Sequence, residues 1–228
     1  MKNHTLSISS LLLLLAFGCK KDTPYGLSEN RIRFDQMEVG QKSRYLSFQA
    51  GTCFSPGNTL TYAADTLVLE IVEQQADTFI FKETLTPNSF SVLNYGATST
   101  SYNVGEKEIK LYVDQNTVHV LTKPEYSSIV SRLFSKLSFP LKKNDDFKLT
   151  MSTWYPNPDN SKRQGYVKNH KQARVEYPRL NFVLDYKPME GDGPGCFYLY
   201  SAEYGIVRSG ERNGWCTDKG RGWDLLPE

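Results

Sequence analysis

From Phe34 onward the hydrophobic positions recur mostly with period two, the spacing of a strand with one face buried. Tyr45-Leu46-Ser47-Phe48 opens a first strand with Leu46 and Phe48 on one face. Thr66 to Glu73 forms a second, with Leu67, Leu69 and Ile71 on one face. Gln74-Gln75-Ala76-Asp77 then turns the chain, and Thr78 to Leu85 returns as the partner of a hairpin. The device recurs at Ser101 to Val104 and at Glu108 to Val113, where Ile109, Leu111 and Val113 share a face. After Asp114-Gln115-Asn116, Thr117 to Thr122 returns with Val118 and Val120 inward.

A period nearer four occurs once, at Ser127 to Leu137, where Ile129, Leu133 and Leu137 fall on one stripe beside Val130 and Phe134. This predicts a short helix, preceded by Pro124 and stopped before Pro140. Strand patterns resume at Phe147 to Met151, Ala173 to Tyr177, Leu180 to Tyr186, Cys196 to Ser201, Gly205 to Ser209 and Trp223 to Leu226. Loops rich in Pro, Asn or Gly separate them at Tyr155 to Asn160 and Glu190 to Gly195. Roughly eleven short strands joined by tight turns predict an all-β antiparallel meander. It curls into a half-barrel or barrel of lipocalin-like or lipoprotein-carrier-like form, with one short helix.

The first residues read differently. Lys2 and His4 precede an apolar run, Leu11 to Phe17, that ends at Gly18-Cys19. A charged start, a short apolar core and a small residue before the cut are the parts of a secretory signal, and the core is too short to span a bilayer. Leu15-Ala16-Phe17-Gly18-Cys19 resembles the lipobox of bacterial lipoproteins. The resemblance implies cleavage before Cys19, acylation of its sulfur and a membrane partner reached through the lipid. The expected organisation is a signal over 1–18, a lipidated tether over 19–34 and one β-rich domain over 35–228. The expected location is the cell envelope, at the outer membrane.

A second resemblance is carried by Met37-Glu38-Val39-Gly40-Gln41-Lys42-Ser43-Arg44-Tyr45, by the middle hairpins and by the closing Tyr200 to Ser209 with Gly222 to Leu226. These look like the small β-rich lipoproteins of Gram-negative envelopes, in which a "VG..W.Y" start and a "Y.PE.GIV" finish bracket a half-barrel sheet. Ser43 stands where that pattern has an aromatic and Ala202 where it has proline. The likeness implies a fold and no reaction.

Composition agrees with strands and narrows the chemistry. Fourteen Tyr, 12 Phe and 3 Trp among 228 residues suit pleated, half-buried surfaces. The formal net charge of +2 gives no basic field for nucleic acid. Beyond Cys19 three cysteines remain in a compartment that permits disulfides. Cys196 and Cys216 are the expected bridge, Cys53 with either being the alternative. No zinc spacing and no GxSxG elbow occur, so the sequence calls for no cofactor or metal and names no nucleophile.

His119 in Val118-His119-Val120 reads as an exposed strand residue and His170 as a solvated loop residue. Glu70, Glu73, Glu83, Asp145, Asp146, Glu203 and Asp224 read as solvent-face carboxylates, and the segment 190–195 as a hairpin tip. Ser161 to Arg174 carries five cations and no acid, among them Lys168 and Lys171, and suits anionic headgroups. Trp154, Tyr155 and Trp215 flank loops and are candidates for stacking on a sugar or anchoring a partner. The expected function is a non-catalytic binding or envelope-structural module with a lipid, glycan or envelope-protein partner. The alternatives are a hydrolase of envelope glycans or lipids and an accessory subunit of a surface assembly.

Overall fold

The computed structural model describes residues 31–52, 55–86, 105–114, 117–121, 150–151, 156–157, 164–185, 195–212 and 220–227. The signal and lipobox, the 127–137 helix and most of the 190–195 loop lie outside them. So do Ser101 to Val104, Cys53, Trp154, Tyr155, Trp215 and Cys216.

Among the described residues the fold is all-β. The strands are β1 (Lys42–Thr52), β2 (Ser55–Gln75), β3 (Thr78–Thr86), β4 (Gly105–Asp114), β5 (Thr117–Val120), β6 (Thr150–Met151) and β7 (Pro156–Asn157). Then follow β8 (Gln164–Gln172), β9 (Val175–Asp185), β10 (Gly195–Ser201), β11 (Gly205–Arg212) and β12 (Gly220–Leu225). Ten of them make one sheet in the order β5-β4-β3-β2-β1-β12-β11-β10-β9-β8, and β6 pairs with β7. The ladders are antiparallel, and β12 closes the meander by inserting beside β1 with Tyr45 opposite Leu225 and Ser47 opposite Trp223. β5 and β8 end the sheet without pairing to each other, so it stays open and is no barrel.

The outer wing follows the sequence pattern closely. Leu67, Leu69 and Ile71 are buried on β2, Phe79, Phe81 and Leu85 on β3, and Ile109 and Leu111 on β4. The β2–β3 turn falls at Ala76-Asp77, with Ala76 in the left-handed region at φ 50°. In β1 the inward set is Ser43, Tyr45 and Ser47, followed by Phe48 and Ala50, whereas Leu46 is only half-buried. The predicted pairing of Leu46 with Phe48 fails because the β1–β2 ladder is irregular between those two residues. Glu83 is buried opposite Leu69 and Lys107, where the pattern put it on the solvent face.

The domain packs from earlier in the chain than the 35–228 boundary. Ile32 and Phe34 are core residues: Phe34 N donates to Ala202 O (2.8 Å) and Ile32 N to Ser43 Oγ (3.0 Å). Gly205 (φ 68°) makes this approach possible, since a Cβ there would lie 2.3 Å from the Ile32 carbonyl oxygen.

Candidate functional site

Two features of the C-terminal strands create the most distinctive site. The first is a bulge. Leu199 faces Arg208 and Tyr200 faces Ile206, so Val207 is an extra residue on β11 without a cross-strand partner. The second is a bend in the β8–β9 hairpin. β9 pairs with β10 only from Asn181 to Asp185, while β8 and β9 continue together to Gln172 opposite Val175. Among the described residues the distal half of β9 therefore has β8 on one side and no strand paired on the other.

That distal half changes its inward face. Val167, Leu180 and Phe182 are buried in the proximal part, and His170, Gln172, Val175 and Tyr177 in the distal part. The switch falls at Asn169 (φ 54°) and Pro178, between the pairs Lys168–Arg179 and His170–Tyr177. Flat strands are ~4.8 Å apart, so β8 and β11, three positions apart in the sheet, would be separated by ~14 Å. Yet Gln172 Nε2 donates to Val207 O at 3.0 Å, and the Tyr177 and Tyr204 rings meet edge to face at 5.0 Å. The hairpin is folded back over the β10–β11 turn.

Beneath it lies a charged pair. Arg208 and Asp224 are opposite each other on β11 and β12 and are only 3% and 1% exposed. The guanidinium is bidentate: Nε donates to Asp224 Oδ1 at 2.5 Å and an Nη to Oδ2 at 2.6 Å. Tyr62 on β2 donates its hydroxyl to the same Oδ2 at 2.8 Å. The Arg208 guanidinium sits 5.0 Å from the Phe48 ring centre, and Phe48 meets Tyr62 edge to face at 6.4 Å. Gly222 leaves room for this, since a Cβ there would lie 2.6 Å from the Phe48 ring. Burial, then the Asp224 charge, pushes the Tyr62 hydroxyl pKa upward, so Tyr62 stays a donor.

His170 completes the centre. The Val207 carbonyl can only accept, which turns the Gln172 amide nitrogen toward it and leaves Oε1 facing His170 Nε2 at 3.2 Å. Nε2 therefore carries the ring proton. Burial, reinforced by the Arg208 charge, lowers the His170 pKa to about 4 against the opposing influence of Gln172 and Asp224. The imidazole is neutral at pH 7 and bound to an amide. His119 stacks on Tyr112 across β4 and β5 at 5.8 Å. Neither histidine bonds to a carboxylate among the described residues.

Several sequence expectations are corrected here. His170 is buried on a strand, because the hairpin folds its face inward, and Asp224 is buried beside Arg208 instead of facing solvent. From Gln164 the basic segment is strand β8 with a tight turn at Ala173 (φ 48°) and Arg174 (φ 69°), where a loop was expected, and its first three residues lie outside the described ones. Lys168 and Lys171 are exposed on it: Lys168 lies over the Tyr166 ring at 5.9 Å and Lys171 pairs with Glu176 at 3.3 Å. Trp223 is buried in the last strand, as its pattern implied. The backbone of Cys196 pairs with Asp185 and Glu211.

Sequence reading missed Arg208, Asp224, Gln172 and Tyr62 as partners. The available signal was a charge set directly beside apolar residues in each segment, Arg208 after Ile206-Val207 and Asp224 between Trp223 and Leu225.

No family model and no curated protein matches this chain. Among solved structures it is similar to a Bacteroides fragilis protein of YmcC-like fold, provisionally assigned as exported, at 12% identity and a TM-score of 0.35. That likeness spans 89% of this chain and 98% of the other.

Proposed function

We propose that the chain is an exported lipoprotein held at the outer membrane through acylated Cys19, with its open sheet serving as a non-catalytic binding or envelope-structural module. The observation that carries the reading is the lipobox-type run Leu15 to Cys19 behind a charged start and a short apolar core. Two or three acyl chains hold firmly, since each buried methylene contributes ~0.8 kcal/mol. Inside the fold, Asp224, Arg208, Tyr62, His170 and Gln172 bond to one another or to backbone. For recognition of a lipid, glycan or envelope protein, the candidates named by the sequence are Trp154, Tyr155 and Trp215, which lie outside the described residues.

The test is direct. Membrane protein purified in gentle detergent carries a diacylglyceryl group on an N-terminal Cys19, read by mass spectrometry, and Cys19→Ala abolishes labelling by an alkyne fatty acid. An uncleaved or unacylated N-terminus overturns the reading. Species that co-purify with the acylated protein identify the partner class.

A further inference from the structure

Arg31, the first described residue, is fixed to the same end of the domain as the folded β8–β9 hairpin. Its Nε donates to Glu203 O at 3.1 Å, and its guanidinium lies 5.2 Å from the centre of the Tyr204 ring. Tyr204 in turn packs against Tyr177 of the hairpin. Eleven residues lie between Cys19 and Arg31, at most about 40 Å of extended chain. A compact domain of this size is itself about 40 Å across. An anchor at Cys19 therefore keeps the Arg31 end, hairpin included, within about 40 Å of the bilayer, so the hairpin is among the surfaces that can reach it.

The hairpin is basic on its outer side. Lys168, Lys171, Arg174 and Arg179 are exposed on its distal half, where the one carboxylate, Glu176, pairs with Lys171. Arg179 lies 4.3 Å from the centre of the Tyr166 ring, with Lys168 over the same ring. Of the other acids at this end, Asp35 pairs with Arg33 at 2.9 Å, Glu38 accepts from Gln36 Nε2 at 2.9 Å, and Glu203 holds Arg31 through its backbone oxygen at 3.1 Å. The buried side of the same segment is spent on the fold, through His170, Gln172 and Tyr177. One strand pair thus presents its inner face to the polar centre and a fixed row of cations outward.

We propose that the outer face of the β8–β9 hairpin rests on the anionic phospholipid headgroups of the membrane that holds Cys19, setting the orientation of the domain on that surface. This rests on the lipoprotein reading and adds to it a second, electrostatic contact. Attraction of this kind acts within a Debye length, so it operates only on residues brought to the surface and is removed by salt.

The test uses the acylated protein reconstituted into neutral phosphatidylcholine vesicles and into vesicles containing phosphatidylglycerol, with brief lysine acetylation read residue by residue. Lys168 and Lys171 are expected to react about fivefold more slowly on the phosphatidylglycerol vesicles, and about 0.5 M salt to remove the difference. Lys82 and Lys110, on the opposite wing of the sheet, should react alike on both. The variant Arg174→Glu/Arg179→Glu keeps both reporter lysines and should lose the protection with its thermal unfolding unchanged. Equal labelling on both vesicles overturns the contact while the acyl mass on Cys19 keeps the anchor. Protection seen only after adding lipopolysaccharide overturns the phospholipid assignment. A missing acyl group removes anchor and orientation together.

Discussion

The two wings of the sheet obey different rules. On β2, β3 and β4 inward residues are apolar with few exceptions, and alternate neighbours such as Val72 and Tyr112 reach solvent. Phe79-Ile80-Phe81, buried in succession beside the register shift between Ile71 and Glu73, is the local break in that alternation. On β11 and β12 consecutive residues are buried: Val207, Arg208 and Ser209 on one, Trp223, Asp224 and Leu225 on the other. The strands are alike, and what differs is the second face. The distal β8–β9 hairpin folds onto the C-terminal strands, so residues that a one-sided sheet would leave wet must find partners inside. Alternation therefore reports solvent on one side of a strand as much as it reports the strand.

The sharpest way to break the comparison is at the ion pair. Arg208→Ala leaves Asp224 buried without its bidentate partner, and the expected loss is about 3 to 5 kcal/mol in urea unfolding. Replacing both partners together, Arg208→Met with Asp224→Leu, should recover most of that loss, since a buried pair and a packed apolar pair differ little. A double variant as unstable as the single would mean that the covered wing depends on the charges themselves. On the outer wing the matching truncation, Leu111→Ala, should cost about 3 kcal/mol through lost burial and the cavity left behind.

Acid separates the wings next. Because the His170 pKa falls to about 4 in the folded protein from 6.5, the unfolded chain binds the proton first as pH drops. Stability is then complete above pH 6.5 and is lost progressively down to pH 4, by up to about 3 kcal/mol. His170→Gln, which keeps a donor for Gln172, should flatten the unfolding profile across that window. A profile that keeps its slope would remove His170 as the cause. Leu111→Ala should shift the whole profile down without changing its shape.

These differences explain what could be read from the sequence. The strand class, the β2–β3 hairpin and the inward set Leu67, Leu69 and Ile71 follow from alternation, because that wing has few exceptions to it. The role of His170 did not, since the segment around it carries cations on its outer face and reads as a loop. Its burial depends on a left-handed Asn169 and on a carbonyl at Val207, more than 30 residues away, that needs a donor. Arg208 and Asp224 were visible as charges, but their pairing required knowing that β12 lies between β1 and β11. Long-range strand order is the information that local periodicity lacks.

The smallest effect is also the finest test of where the covered wing ends. Tyr62 reaches from β2 across β1 to Asp224, yet its residue is 44% exposed, so it stands at the border between the dry centre and solvent. Tyr62→Phe keeps the ring against Phe48 and removes only the hydroxyl. The Arg208 bonds still satisfy Asp224, and the freed lone pair of Oδ2 is the main loss. A cost of about 1 kcal/mol is expected, that of one hydrogen bond to a charged acceptor partly offset by water. No loss would place water at Oδ2 and make the centre open on the β2 side. A loss approaching that of Arg208→Ala would mean that the hydroxyl seals the site, and the border between the wings would then run along β2 instead of β1.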